Sequence, residues 1–466
     1  MPHRRNILIA LGIGTFMSAL DGSVVNTILP LLGRELHATV AGVEWVTTVY
    51  LLVVSALLLI VGRAGDLYGH KDVYLSGFAL FITGSALCGA ARTLEMLIAM
   101  RGLQAVGASM LYANAPAILT KSFPAEQRGR ALGAQATFTY LGLTAGPSLG
   151  GWLAAAFGWR SVFYINVPVG LIAAIMAAVV VARDRPDTTR ERFDFAGAAL
   201  FTCGLVTLLV ALNQGHDRGW ASLPIVLLFA VAAAMLTAFI FVERSGASPM
   251  LDLSLFRSRV FSAATASALL NYICTYAVLF VVPFLLIQGR GLNTKQAGLV
   301  LTAQPIVMAI VAPVAGSLSD RIGSRVLATA GMLVFAGGLV LLGTFAAHAS
   351  AAMIALALAV IGVGIGLFTT PNNSALMGAA PRHRQGIASG VLASARNVGM
   401  VLGVGLAGAI FTTVIAGREL TDPELVVQAV GVGFMAASCL AFVGALISAS
   451  RPATRRRAAA ATTSAT

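Results

Sequence analysis

Long apolar runs separated by short polar links fill this chain from about residue 6 to 449. They fall roughly at 6 to 33, 43 to 62, 73 to 91, 95 to 118, 130 to 157, 161 to 182, 195 to 213, 222 to 242, 260 to 288, 297 to 318, 326 to 347, 351 to 377, 386 to 416 and 426 to 449. Each is about the length at which an α-helix, rising about 1.5 Å per residue, crosses some 30 Å of hydrocarbon. Barrel strands would alternate apolar and polar positions, and these runs do not. The pattern predicts an all-α integral membrane protein with fourteen spans and both termini on one side.

Two of the polar links are copies of each other. Gly62, Asp66 and Gly69, followed by Lys71, recur as Gly316, Asp320 and Gly323, with Arg321 and Arg325 beside them, in the form G-x-x-x-D-x-x-G. A duplicated membrane bundle points to transport. These loop residues are read as a latch on a conformational gate; the plainer reading is a solvated Asp or a helix cap. The repeat divides the chain into a six-helix bundle (1–182), a two-helix insert with its linker (183–248), a second six-helix bundle (249–450) and a basic tail (451–466). The insert reads equally as a spacer or a lateral wall.

Composition agrees with membrane immersion. Of the 466 residues 58 % are hydrophobic and 11 % charged, and mean hydropathy is +0.87, too little polar surface for a soluble globule. The net charge of +13 could suggest nucleic acid, but most Lys and Arg lie in the links on the side of the termini. That bias predicts cytoplasmic termini in a plasma or inner membrane, with no nucleic-acid partner. With no cleavage site after the first run, it is read as a retained span. Cys88, Cys203, Cys274 and Cys439 all fall in spans and read as small buried hydrophobes, not as disulfides or metal ligands.

Asp21 is the acidic residue placed deep in a span, and Glu44 is placed at a helix mouth. A buried carboxylate costs at least a few kcal/mol unless it is paired, hydrated or protonated. Arg101 lies at similar depth. The two form either a structural ion pair or a proton-coupling pair, in which the guanidinium competes with a proton for the carboxylate. Gly142, Gly146, Pro147, Gly150 and Gly151 form a small-residue stretch that packs a helix tightly or serves as a hinge between halves. Arg396 and Asn397 are the conspicuous polar pair of the second half and argue against a multivalent cation as substrate. The remaining polar and aromatic positions are Asn26, Tyr50, Tyr112, Asn114, Gln135, Tyr140, Asn271, Tyr272, Tyr276, Gln304, Asn372 and Asn373. Some of these serve as glue between helices, and others line a substrate cavity with Phe16 and Met17.

The stretches Gly62 to Lys71, Arg101 to Gly107 and Gly142 to Gly151 resemble the loop, fourth-helix and fifth-helix motifs of the major facilitator superfamily. Leu20 to Pro30 and Phe157 to Gly170 are similar to its fourteen-span drug:proton antiporter branch. Ala105 and His70 depart from the usual glycine and arginine. The resemblance implies two six-helix bundles plus two central helices, and proton-driven export by alternating access.

No phosphate-binding G-x-x-x-x-G-K-[ST] occurs, nor H-E-x-x-H or C-x-x-C, so neither an ATP-driven pump nor an enzyme is expected. The expected function is proton-coupled export of amphiphilic small molecules, with protons and membrane lipids as the other partners and no cofactor or metal. The alternatives are proton symport of a metabolite and a non-transporting receptor.

Overall fold

A computed structural model describes residues 2–123, 125–183, 194–245, 253–346, 348–380, 385–415 and 423–452. The first half comprises α1 (Pro2–Glu35), α2 (Val40–Tyr68), α3 (His70–Gly89), α4 (Leu94–Ser122), α5 (Ala125–Phe157), a one-turn α6 (Ser161–Tyr164) and α7 (Asn166–Val180). The insert is α8 (Phe195–Arg218) and α9 (Leu223–Ser245). The second half follows as α10 (Arg259–Phe284), α11 (Thr294–Leu301), α12 (Ala303–Ile322), α13 (Ser324–Phe345), α14 (Ala351–Ala379), α15 (Gln385–Ile415) and α16 (Pro423–Ala449). Among the described residues 13 helices are long and apolar enough to cross a membrane. The 33-residue α5, packed along α1, is a further long helix.

Local chemistry sets the helix ends. Thr39, Thr93 and Ser350 each accept the backbone N–H three residues on, and Asn293 with Gln296 closes a reciprocal capping box. Two spans are interrupted three residues before a proline, at Ile165 before Pro168 and at Thr302 before Pro305. Proline has no N–H to give the carbonyl four residues back. The copied links are not open loops. Helix α2 continues through Gly62 to Tyr68 and α12 through Gly316 to Ile322, so one residue breaks each: Gly69 at φ 96° and Gly323 at φ 93°. Only glycine adopts that backbone without strain.

The packing is inverted relative to a soluble helix. In α7 the small residues Gly170, Ala173 and Ala177 are buried, whereas Leu171, Ile172, Ile175 and Val179 are exposed. In hydrocarbon, large side chains lose nothing by facing lipid, and small ones let helices approach. The halves repeat this detail. A Cβ on Gly107 of α4 would meet the backbone of Gly77 and Phe81 on α3, and one on Gly364 of α14 would meet Gly331 and Phe335 on α13.

Helix α8 packs on α2 of the first half and α15 of the second, with α9 behind it. The best spanning window of α9 is 11 % buried, against 72 % for α1. The insert is thus a lateral wall over the seam between halves, with α9 at its rim.

Candidate proton-coupling and substrate site

Helix α1 is the buried axis of the first half, and Asp21 sits on it with 0 % exposure. Arg101, 1 % exposed on α4, donates from Nη1 to Asp21 Oδ2 at 2.7 Å. Gln104, one turn along α4, donates from Nε2 to Oδ1 at 3.0 Å, and Asn166 from Nδ2 to the same oxygen at 2.8 Å. Asn166 opens α7 just after the break that Pro168 imposes, so the break carries its side chain to the carboxylate. It also donates to Ser85 Oγ on α3, which in turn donates to the Phe163 carbonyl. Arg101 is held by the Gln104 side-chain oxygen at 2.7 Å, by the Val46 carbonyl at 3.2 Å and by the Tyr50 ring, 4.1 Å from its centroid.

Both oxygens of Asp21 are therefore met by donors, which is what a buried carboxylate requires. Removing one member of such a pair leaves an uncompensated charge, at a cost of about 3–5 kcal/mol. The carboxylate thereby ties α1 to α4 and α7.

The small-residue stretch of α5 faces two ways. Gly142, Gly146 and Gly150, four apart, lie on α1 against the Phe16 carbonyl, Ser23 and Val24. Pro147 and Gly151 instead face α11 of the second half, where Cβ atoms on Gly298 and Gly151 would run into the Pro147 and Thr294 carbonyls. Ser148 and Thr302 hydrogen-bond across the same seam. These contacts lie at the end of the bundle opposite the termini, the far end.

At the copied links, Gly62 of α2 faces Ala113 of α4 and Gly316 of α12 faces Thr370 of α14. Lys71 Nζ donates to the Ala178 carbonyl at the end of α7, at 2.7 Å. Arg321 is exposed and Arg325 half-buried. The side chains of Asp66, Asp320 and Tyr140 lie outside the described residues.

The expected cavity positions divide into groups. Asn26 bonds Thr47 and the Gly22 carbonyl; Asn271 reaches Met332; Gln135 bonds Thr15. Asn114 accepts from His70 Nδ1 at 2.8 Å and donates to the Met110 and Val61 carbonyls, placing it at the α2–α3 junction and not on a cavity wall. Asn372 accepts from Arg451 at 2.5 Å beyond the end of α16, where burial pushes the guanidinium down to about 10. Met17 is buried against α7. Gln304 and Asn397 are almost fully buried and Phe16 half-buried. Tyr112, Tyr272, Tyr276 and Arg396 are half-buried, and electrostatic coupling links Tyr112 on α4 to Tyr276 and Arg396 on α10 and α15. Tyr50 connects this group to the Asp21 cluster.

Sequence reasoning singled out Asp21 and Arg101 but not their partners. Gln104 could have been found, since it lies three residues from Arg101 on one helix face. Asn166 carried a weaker signal in the Asn-Val-Pro break, and Ser85 none. Glu44 does lie at the mouth of α2, in its second turn, but it is 2 % exposed, enclosed by α8 and α15. Glu243 is also buried, at 3 %. The expectation of four buried cysteines is corrected: Cys88 and Cys274 are buried, but Cys203 and Cys439 are exposed on the outer faces of their helices, where a small apolar side chain loses nothing by facing lipid.

A family model described as Major Facilitator Superfamily matches residues 11–403 and 264–465. Among characterised relatives, the riboflavin transporter RibZ of Clostridioides difficile is 34 % identical over 88 % of this chain and 89 % of its own. The multidrug resistance protein Stp of Mycobacterium tuberculosis is 34 % identical over 86 % of this chain and 75 % of its own. In fold, the chain is similar to a bacterial homologue of the lysosomal transporter Spinster, with TM-score 0.71 and 14 % identity over 96 % of each chain.

Proposed function

Because this chain belongs to the major facilitator superfamily and is a multi-pass membrane transporter, we propose that it is a proton-coupled exporter of amphiphilic small molecules, working by alternating access with cytoplasmic termini. The observation that carries this reading is the Asp21 carboxylate of α1, fully buried and tied to two other helices of the same half, α4 and α7. A proton arriving from outside loosens those ties, and its release to the cytoplasm restores them, so the rocking of the halves is coupled to the gradient. Substrate meets the group of Tyr112, Tyr272, Tyr276 and Arg396 between the halves. A guanidinium among phenol rings favours electron-rich or acidic aromatic compounds over multivalent cations. Relatives named for multidrug resistance support export, and a relative named for riboflavin, a planar aromatic, supports that substrate chemistry.

The test uses proteoliposomes with the cytoplasmic face outward and acid inside. Planar aromatic acids, neutral drugs and amphiphilic cations are added outside while lumenal pH is read. Substrate-triggered proton efflux that disappears in Asp21→Asn is the expected result. If a properly inserted Asp21→Asn protein still shows it, Asp21 is not the coupling residue. The second reading is uptake of a small metabolite by proton symport, with which a relative named only as a riboflavin transporter is equally consistent. It predicts proton and substrate moving in the same direction.

A further inference from the structure

A second buried carboxylate stands where the halves meet. Glu44, in the second turn of α2, is 2 % exposed. Its carboxylate lies on Gly408 of α15, so close that a Cβ there would overlap it, with Gly405 one turn away. Helix α8 closes the third side with Leu209, Leu212 and Asn213. Asn213 Nδ2 donates to Glu44 Oε2 at 3.4 Å while also holding the Ala41 carbonyl at 3.0 Å. No other titratable group among the described residues acts on Glu44: α15 offers glycines and α8 an amide and two leucines.

The contrast with Asp21 is chemical. Asp21 has a guanidinium and two amides at 3.0 Å or less; Glu44 has one long amide bond and no cation. An ionised carboxylate closed into such a place would cost several kcal/mol. The neutral acid would not. Glu44 also occupies a joint that alternating access must break, since α2 belongs to one half, α15 to the other, and their contact lies at the far end.

We propose that Glu44 is a second proton-carrying residue, neutral while α2 and α15 are in contact and ionised when the far-end seam opens to water. The proposal rests on the alternating-access reading above. Its sign follows directly. The closed seam binds one proton more than the open seam, so rising pH favours opening, by up to about tenfold in the open-to-closed ratio per pH unit. Asn213 on α8 gives the insert a part in this: it holds the carboxyl at the seam that the insert covers.

The experiment reads distance, not transport. Spin labels are placed at Glu35→Cys on the end of α1 and Lys295→Cys on α11, both exposed and on opposite halves, with Cys203 and Cys439 replaced by serine. The Asp21→Asn background removes the carboxylate of the α1 cluster, and Glu243, at the end of α9, is left unchanged in every variant. The expected result is a far-end distance that lengthens as pH rises from 5 to about 8 in that background, and a short, pH-independent distance once Glu44→Gln is added. Glutamine keeps the shape and the acceptor for Asn213, so the closed packing survives. A distance that ignores pH in Asp21→Asn overturns the proposal, as does an unchanged pH response after Glu44→Gln. Because no flux is read, a failure of the antiport reading in proteoliposomes is distinguishable from a failure here.

Discussion

The two halves share a skeleton and differ in what they bury. Gly69 and Gly323 break corresponding helix pairs, and Gly77 on Gly107 is matched by Gly331 on Gly364. Inside that common frame the first half encloses a charged cluster, Asp21 with Arg101, Gln104 and Asn166. At the corresponding level of the second half, Asn271 meets the Met332 sulfur and Cys274 the Ala437 carbonyl. Backbone-to-backbone packing can be copied intact because it depends on glycine alone. A buried ion pair survives only with every lone pair met, and the second half carries no such set among its described residues. The buried ion-pair cluster therefore belongs to one half, and the other carries Arg396 with no ion-pair partner among the described residues.

The largest expected effect tests that asymmetry. Arg101→Met leaves the Asp21 charge buried and is expected to cost about 3–5 kcal/mol. Arg396→Met, at a half-buried arginine with no ion-pair partner among the described residues, is expected to cost less than about 1 kcal/mol. Each half carries its own reporter, a buried thiol at Cys88 and at Cys274. With Cys203 and Cys439 replaced by serine, thermal exposure of each thiol to a maleimide dye separates the halves. Equal losses for the two arginine variants would break the comparison.

The sequence made the skeleton legible through run length and the repeated G-x-x-x-D-x-x-G, because glycine spacing and hydropathy are local signals. It placed Asp21 and Arg101 at one depth by counting along two helices. What it could not convey was lateral position. Asn114 and Asn372 look like any membrane amides, yet they bond His70 and Arg451 near helix ends. Glu44 lies only a turn from the start of α2, and its burial comes from α8 and α15, which are distant in sequence. The copied links read as loops because polar residues cluster there, although each is helix up to a single glycine.

A smaller effect should be symmetric. Gly107→Ala and Gly364→Ala each push a Cβ into the neighbouring helix backbone, and each is expected to cost about 1–3 kcal/mol. The first should advance exposure of Cys88 and the second that of Cys274, by similar amounts. Next come Gly69→Ala and Gly323→Ala, where positive φ costs an alanine about 1–2 kcal/mol. A difference of more than about twofold within either pair would mean the skeleton is not shared at that level.

The smallest effect comes from an ion pair of the same chemistry in a different place. Arg183 Nε lies 3.6 Å from Asp72 Oδ1, but the two side chains are 81 % and 52 % exposed. Water solvates both charges whether or not they meet, and salt screens what remains, so the pair is expected to contribute about 0.5 kcal/mol or less. A double-mutant cycle of Asp72→Asn and Arg183→Gln, read by Cys88 exposure at low and high salt, checks this. The coupling should shrink further in salt, whereas an Asp21→Asn and Arg101→Met cycle should hardly respond. If the exposed pair coupled as strongly as the buried one, burial would not be what sets the Asp21 cluster apart, and the asymmetry between the halves would need another cause.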